Sequence, residues 1–351
     1  MKIAYILPSL DNKGPIVFTK YLIEGIKDKV DDIKVFYFED TGNPINIGVE
    51  TQKISFFEAL DFDCYDIVHS TMLKPDLYTF YHRKKIVGKR VSSLHNMIKE
   101  DLKYNYNKFV QYIYRIVWKI ALWNNFPLVV SSLEMEKYYK KFLKRESLIK
   151  IIPYGITENE IGDIDSNDTE KLLKFQERYT VIGSVGLVIK RKGFDQLIRF
   201  LEKEKDYAVV IVGDGPEVEN LNDLAHSLNV SDRFLLLGFR NYSYNYYKFF
   251  NIYALVSHSE GFGLAMLEAM SFGLPIVCSD LPIYKDYFDK EKIGLFELCN
   301  LDSLTKEILR IGNNLKFFSA CSRELFENEF SADKMGDRHI KLYKSLNEIN
   351  C

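Results

Sequence analysis

Short runs of apolar residues, each long enough for one buried strand, alternate along the chain with longer stretches whose apolar positions recur every three to four residues. In the first half the strand-like runs fall at 3–7, 35–38, 67–69, 91–94 and 128–131, and helical spacing occupies 18–27 and 108–123. A second series runs through 181–185, 208–212, 234–237, 253–256 and 276–278, again with helical stretches between. Strands that are apolar throughout are buried on both faces, the habit of parallel sheets flanked by helices. Two such series predict an α/β chain of two doubly wound domains facing each other across a cleft. Ligands of open α/β sheets sit beyond the carboxyl ends of the strands, so that is where chemistry is sought. The polar stretch 157–169 (TENEIGDIDSNDT) is the predicted linker, which divides the domains into 1–156 and 157–332.

A length of 351 residues suits two domains of ordinary size. With 47% hydrophobic and 27% charged residues the composition is that of a soluble globular protein. No apolar run approaches the roughly 18 residues of a membrane span. The run after Lys2, Ile3-Ala4-Tyr5-Ile6-Leu7, is too short for a signal peptide and reads as a first strand. Cys64, Cys278, Cys299, Cys321 and Cys351 form no C-x-x-C pair, so a reducing cytoplasm without a disulfide framework or zinc site is expected. The net charge of −2 hides an asymmetry, because residues 1–150 hold 24 Lys and Arg against 18 Asp and Glu. The rest holds 23 against 31. No nucleic-acid motif accompanies the basic half, so anionic lipid or phosphate is the expected partner. A plain solvated basic surface stays open beside it.

The densest signal is 257–280, reading SHSEGFGLAMLEAMSFGLPIVCSD. Glu260 and Glu268 stand seven residues apart in it, and Gly261-Phe262-Gly263 follows the first directly. Residues 264–270 have helical spacing, which places Glu260 in the loop before a helix and Glu268 about two turns inside it. Glycines let backbone approach a ligand, and the first amides of a helix form an anion site suited to a sugar phosphate. A carboxylate inside such a helix accepts two hydrogen bonds from a ribose diol. An isolated pair of glutamates at this spacing is more often a solvated helix face, and only the context argues otherwise.

That context resembles the retaining glycosyltransferases of family 4, which have the GT-B fold of two Rossmann-like domains. Residues 260–280 match the family's E-x7-E element with little gap. Gly183-Ser184-Val185-Gly186 followed by Lys192-Gly193-Phe194-Asp195 is similar to its glycine turn and K-G segment. Val212-Gly213-Asp214-Gly215-Pro216 and Leu237-Gly238-Phe239 match two further turns, and Phe330-Ser331 with Leu342-Tyr343 its closing helix. The resemblance implies that 333–351 rejoin the N-terminal, acceptor-binding domain, while 157–332 bind a nucleotide-sugar.

It implies roles residue by residue. Glu268 would bind the donor ribose and Glu260 the transferring sugar. The backbone around Gly261, Phe262, Gly263 and Leu264 would hold sugar hydroxyls and phosphate. Lys192 would neutralise the diphosphate leaving group beside Gly186, and Gly238 and Phe239 would lie near the base. His95, in Ser93-Leu94-His95-Asn96, stands where the family has a histidine near the reacting sugar, although a lone histidine is more often structural. Gly14, in Asp11-Asn12-Lys13-Gly14-Pro15, matches the first loop that meets the acceptor, although Gly-Pro also marks ordinary turns. The sequence departs from the pattern at Leu187, where the family has an arginine for the diphosphate, with Lys190 or Arg191 as substitutes. It departs again at Tyr154-Gly155, which replaces Asn-Gly.

The expected reaction moves a sugar, UDP-linked by base rate, to a hydroxyl of a glycan or lipid-linked acceptor in surface polysaccharide or glycolipid assembly. No metal or other cofactor is expected, because the triplet Asp61-Phe62-Asp63 precedes a strand instead of following one. Residues 108–126 (KFVQYIYRIVWKIALWNNF) align Lys108, Gln111, Arg115 and Lys119 among apolar residues. Such a helix suits an anionic membrane surface, which would place the protein peripherally at the inner face. A core-packed helix with one solvated face is the alternative. Two rival functions stay open, a nucleotide-sugar epimerase of the same architecture and a non-catalytic accessory subunit. A dinucleotide oxidoreductase lacks its G-x-G-x-x-G turn.

Overall fold

The computed structural model describes residues 1–42, 44–99, 107–123, 127–144, 148–158 and 162–348. The chain divides into two compact units, Met1–Thr157 with Glu329–Cys351, and Glu158–Asn328. The first holds a parallel sheet of β1 (Lys2–Ser9), β2 (Asp32–Glu39), β3 (Glu50–Lys53), β4 (Ile67–Thr71), β5 (Lys89–Ser93), β6 (Leu128–Val130) and β7 (Ile149–Ile151). Their order is β3-β2-β1-β4-β5-β6-β7. The second holds β8 (Thr180–Val185), β9 (Tyr207–Val212), β10 (Phe234–Leu236), β11 (Ile252–Leu255), β12 (Ile276–Ser279) and β13 (Gly294–Phe296). Its order, β10-β9-β8-β11-β12-β13, repeats the plan of the first. In each sheet the winding reverses beside the first strand, between β1 and β4 and between β8 and β11. These are the switch points at which such sheets open a ligand crevice.

All ten strands expected from apolar runs are present. The three that were not expected, β3, β7 and β13, lie at sheet edges. β3 reads Glu-Thr-Gln-Lys and buries no residue, so apolar patterning cannot reveal it. The expected linker is shorter than its composition suggested. Asp165 accepts the Asn167 amide at 2.9 Å and the Asp168 amide at 3.2 Å, which starts the helix Ser166–Arg178 inside it. Residues 159–161 of that stretch lie outside the described residues, as do 124–126 of the basic apolar segment.

The chain rejoins the first unit from Glu329, ahead of the expected 333, because the Ile156 amide bonds the Phe330 carbonyl at 2.9 Å and the Ala332 amide returns to Ile156 at 2.8 Å. The helix Ala332–Glu348 then crosses the helix Gly14–Ile26 at backbone contact. A side chain at Gly25 would lie 2.2 Å from the Ala332 carbonyl oxygen, and one at Gly336 would lie 2.5 Å from that of Gly25. Beneath the crossing, His69 Nδ1 meets the Tyr343 hydroxyl at 2.6 Å and its Nε2 meets Ser93 Oγ at 2.8 Å.

Candidate active site

At the switch point of the second sheet, the strands end in glycines because backbone must pass backbone there. Gly186 follows β8, Gly213 follows β9 and Gly238 lies just past β10. A side chain at Gly213 would come within 1.8 Å of the Gly186 carbonyl oxygen. The Gly213 amide bonds the Gly238 carbonyl at 3.0 Å. At Gly186 the nearest obstacles to a side chain are Lys192 Cε at 3.6 Å and Nζ at 3.8 Å, so the ammonium lies over this turn.

Lys192 ends a single helical turn, Lys190–Lys192, closed by Gly193 at φ 64. A side chain at Gly193 would approach the Val256 carbonyl oxygen to 2.4 Å, so the glycine seats the turn against the end of β11. The seating delivers Lys192 Nζ to Glu260 Oε1 at 2.6 Å, an ion pair largely shielded from solvent. Ser257 Oγ donates to the same carboxylate oxygen at 2.6 Å. Arg191 hydrogen-bonds the Ser259 carbonyl and stands 3.8 Å from Glu260 Oε2. Of the two cations that could replace the arginine missing at Leu187, Arg191 is therefore turned to Glu260, whereas Lys190 is exposed.

Gly263, at φ 93, caps the helix Leu264–Ser271, whose first amides α-helical geometry leaves without intrahelical partners. The Phe262 ring is buried against Tyr284 and Tyr287, and its carbonyl accepts the Tyr284 hydroxyl at 2.8 Å. Phe262 thus anchors the loop and presents no side chain to a ligand. Gly261 precedes it in the same loop, and Leu264 opens the helix. Glu268 lies on that helix as its fifth residue, about one turn in instead of the two expected. It is half-buried, with Oε2 accepting the Tyr247 hydroxyl at 2.8 Å. Burial pushes its carboxyl up to about 7, while that hydrogen bond pulls the other way. Phe239 is 61% exposed beside Gly238. Its loop is tied down by Arg240, which forks onto Asp168 with Nε–Oδ2 at 2.7 Å and a second bond of 3.1 Å.

The remaining two expected residues belong to the N-terminal unit. His95 is buried just past β5, with Nε2 2.5 Å from Thr71 Oγ1 and Nδ1 bonded to the Tyr154 hydroxyl. Burial holds its pKa down to about 3, so it is a neutral imidazole with both nitrogens engaged. Tyr154, which looked like a departure in sequence, is the partner that fixes its ring. Gly14 opens the helix Gly14–Ile26, and a side chain there would meet only open space.

Sequence reasoning missed Ser257, Tyr247, Thr71 and Tyr154 as partners of these groups. Ser257 stands three residues before Glu260 and was open to local reading. Tyr247 lies 21 residues from Glu268 and carried no local signal. Asp61 and Asp63 form a turn around the buried Phe62, the Asp63 amide bonding Asp61 Oδ1 at 2.8 Å. Among the described residues there is no group of three or more His, Cys, Asp or Glu able to hold a metal ion.

Residues 165–323 match the family model described as Glycosyl transferases group 1. An Escherichia coli protein named O-antigen biosynthesis glycosyltransferase WclY is 26% identical over 353 residues, covering 99% of each chain. A second from Escherichia coli, UDP-Gal:alpha-D-GlcNAc-diphosphoundecaprenol alpha-1,3-galactosyltransferase, is 28% identical over 340 residues, 91% of this chain and 86% of the relative. Among solved structures, HepE from Anabaena in complex with UDP superposes with a TM-score of 0.81 at 18% identity, over 98% of this chain and 100% of that one. At that identity the likeness speaks for the fold.

Proposed function

The chain belongs to the group 1 glycosyl transferases, and from that premise we propose that it moves a hexosyl or N-acetylhexosaminyl group from a UDP-sugar to a hydroxyl of a lipid-linked glycan acceptor, with retention of anomeric configuration. The observation that carries this reading is the Lys192–Glu260 pair lying over Gly186 at the β8–β11 switch point, with Glu268 on the helix that follows. Glu260 engages the Lys192 ammonium at 2.6 Å. A donor diphosphate would compete for the ammonium and for the first amides of the helix Leu264–Ser271. Glu260 would then be released to accept hydrogen bonds from the sugar. Charge builds on the leaving diphosphate in an oxocarbenium-like transition state, so Lys192, with Arg191 beside it, contributes most to the rate. Ionised Glu268 accepts the ribose diol. His95, held neutral by burial and fixed in orientation by Thr71 and Tyr154, is the candidate contact to the reacting sugar.

The supply of positive charge by side chains favours a metal-independent reaction of the family 4 type. The names of the two Escherichia coli relatives support O-antigen assembly on a lipid-linked acceptor. The same acceptor favours peripheral work at the cytoplasmic face of a membrane. Thermal shifts with UDP, GDP and ADP provide the test, with wild type and Glu268→Ala compared. UDP is expected to raise the midpoint of wild type and to leave Glu268→Ala unmoved. Turnover of a sugar nucleotide without any acceptor would replace this reading with an epimerase, and a shift with none of the three would replace it with a non-catalytic accessory subunit.

A further inference from the structure

The helix Lys108–Ala121 is built inside out for a solvent-facing element. On its inner side Tyr114 and Trp118 pack on the apolar cluster of Leu94, Leu122, Leu128 and Met135, and Ala121 is buried. The opposite side is not polar. Phe109 is 72% exposed, Tyr112 63%, and Ile113, Ile116 and Ile120 between 42% and 45%. Spacings of three and four residues place these five side chains along one stripe about 100° wide. Lys108, Arg115 and Lys119 line one border of that stripe, and the helix contains no Asp or Glu. Lys119 keeps its ammonium at that border, 5.2 Å over the Phe142 ring. The helix Leu73–Tyr81 packs alongside and leads into Arg83, Lys84 and Lys85. Residues 67–150 as a whole carry 17 Lys and Arg against 6 Asp and Glu. The helix is thus core-packed on its inner side, and its exposed face is apolar with a basic border.

We propose that this stripe is the surface by which the N-terminal unit lies on an anionic bilayer, its apolar residues entering the headgroup boundary and its basic border meeting lipid phosphates. The inference deepens the lipid-linked reading above by naming the surface and the lipid charge it takes. Charge selects the bilayer over a second copy of the chain. A two-fold contact through this face would set Lys108, Arg115 and Lys119 of both copies around one apolar patch, with no acid on either helix to offset them. An anionic surface supplies that offset. No described helix is long and apolar enough to cross a membrane, so contact is in the plane of the interface.

The test is flotation of the full chain with phosphatidylcholine vesicles and with vesicles containing one quarter phosphatidylglycerol, at low salt. Wild type is expected on the anionic vesicles and to be released by high salt. Neutralising Lys108 and Arg115 together should weaken binding about fivefold per charge, the factor for one basic residue near such a surface. Ile116→Asp should abolish it, with the melting midpoint and the UDP shift of every variant unchanged. Wild type that ignores anionic vesicles, or Ile116→Asp that binds as wild type does, would overturn the proposal. So would a dimer in sedimentation that Ile116→Asp dissolves. Vesicle binding needs neither donor nor acceptor, so a protein that shifts with UDP but ignores vesicles loses this surface and keeps its proposed reaction. The converse result would spare the surface and sink the reaction.

Discussion

Glu268 concentrates the chemistry of the site in one proton. Because burial raises its carboxyl from 4.5 to about 7, the folded protein keeps a proton that the unfolded chain gives up between those values. This group's contribution to stability therefore falls as pH rises through that window. Nucleotide binding runs the other way, because a ribose diol donates to the ionised carboxylate. UDP affinity should rise about tenfold from pH 6 to pH 8, with a proton released on binding at pH 6. Calorimetry in buffers of different ionisation enthalpy measures that proton, and Glu268→Gln should remove it; a slope unchanged in that variant would place the titration elsewhere. Lys192→Ala should lower kcat/KM by roughly a hundredfold or more, the usual cost of losing a positioned group that stabilises developing charge. The acids, the lysine and the glycines were legible in sequence because they share short segments. The hydroxyl partners of Glu268 and His95, Tyr247 and Tyr154, were not, since they arrive from elsewhere in the chain.

Elements were legible to the extent that burial patterned them. Central strands such as β4 and β9 are buried along their whole length and stand out as apolar runs. The edge strand β3 is held by backbone pairing on one side only and buries no residue, so it leaves no pattern. The helix Ala332–Glu348 shows a further limit. Its sequence ending was recognisable, but the reason it docks is the pair Gly25 and Gly336, which bring two helix backbones together without a side chain between. Gly336→Val should destabilise the N-terminal unit by roughly 1–3 kcal/mol, the cost of overpacking a contact that cannot give way. Urea denaturation followed by tryptophan emission measures this directly, because Trp118 and Trp123 both lie in the N-terminal unit. A midpoint equal to wild type would mean that the crossing relaxes at no cost.

At the scale of the whole molecule the two units keep their charges apart. The residues proposed to grip the nucleotide all lie in Glu158–Asn328, whereas His69, His95 and His339, three of the four buried histidines among the described residues, lie in the other unit. Burial lowers the pKa of each, to about 3 for His95 and about 4 for His339. Below their ordinary value of 6.5 the unfolded chain therefore binds protons that the folded unit refuses. Stability is lost as pH falls from 6.5 toward those lowered values. At pH 5 the linkage costs about 2 kcal/mol for each of His95 and His339. Acid and nucleotide should consequently act on different transitions. Asp76 in the same unit, its carboxyl pushed up to about 7 by burial, gains stability over the same interval and offsets about one histidine, so moving from pH 7 to pH 5 should lower the tryptophan-reported midpoint by what remains. Saturating UDP at pH 7 should raise a calorimetric transition that tryptophan emission does not follow. If UDP moved the tryptophan midpoint as far as the calorimetric one, the nucleotide's hold would extend beyond the C-terminal unit.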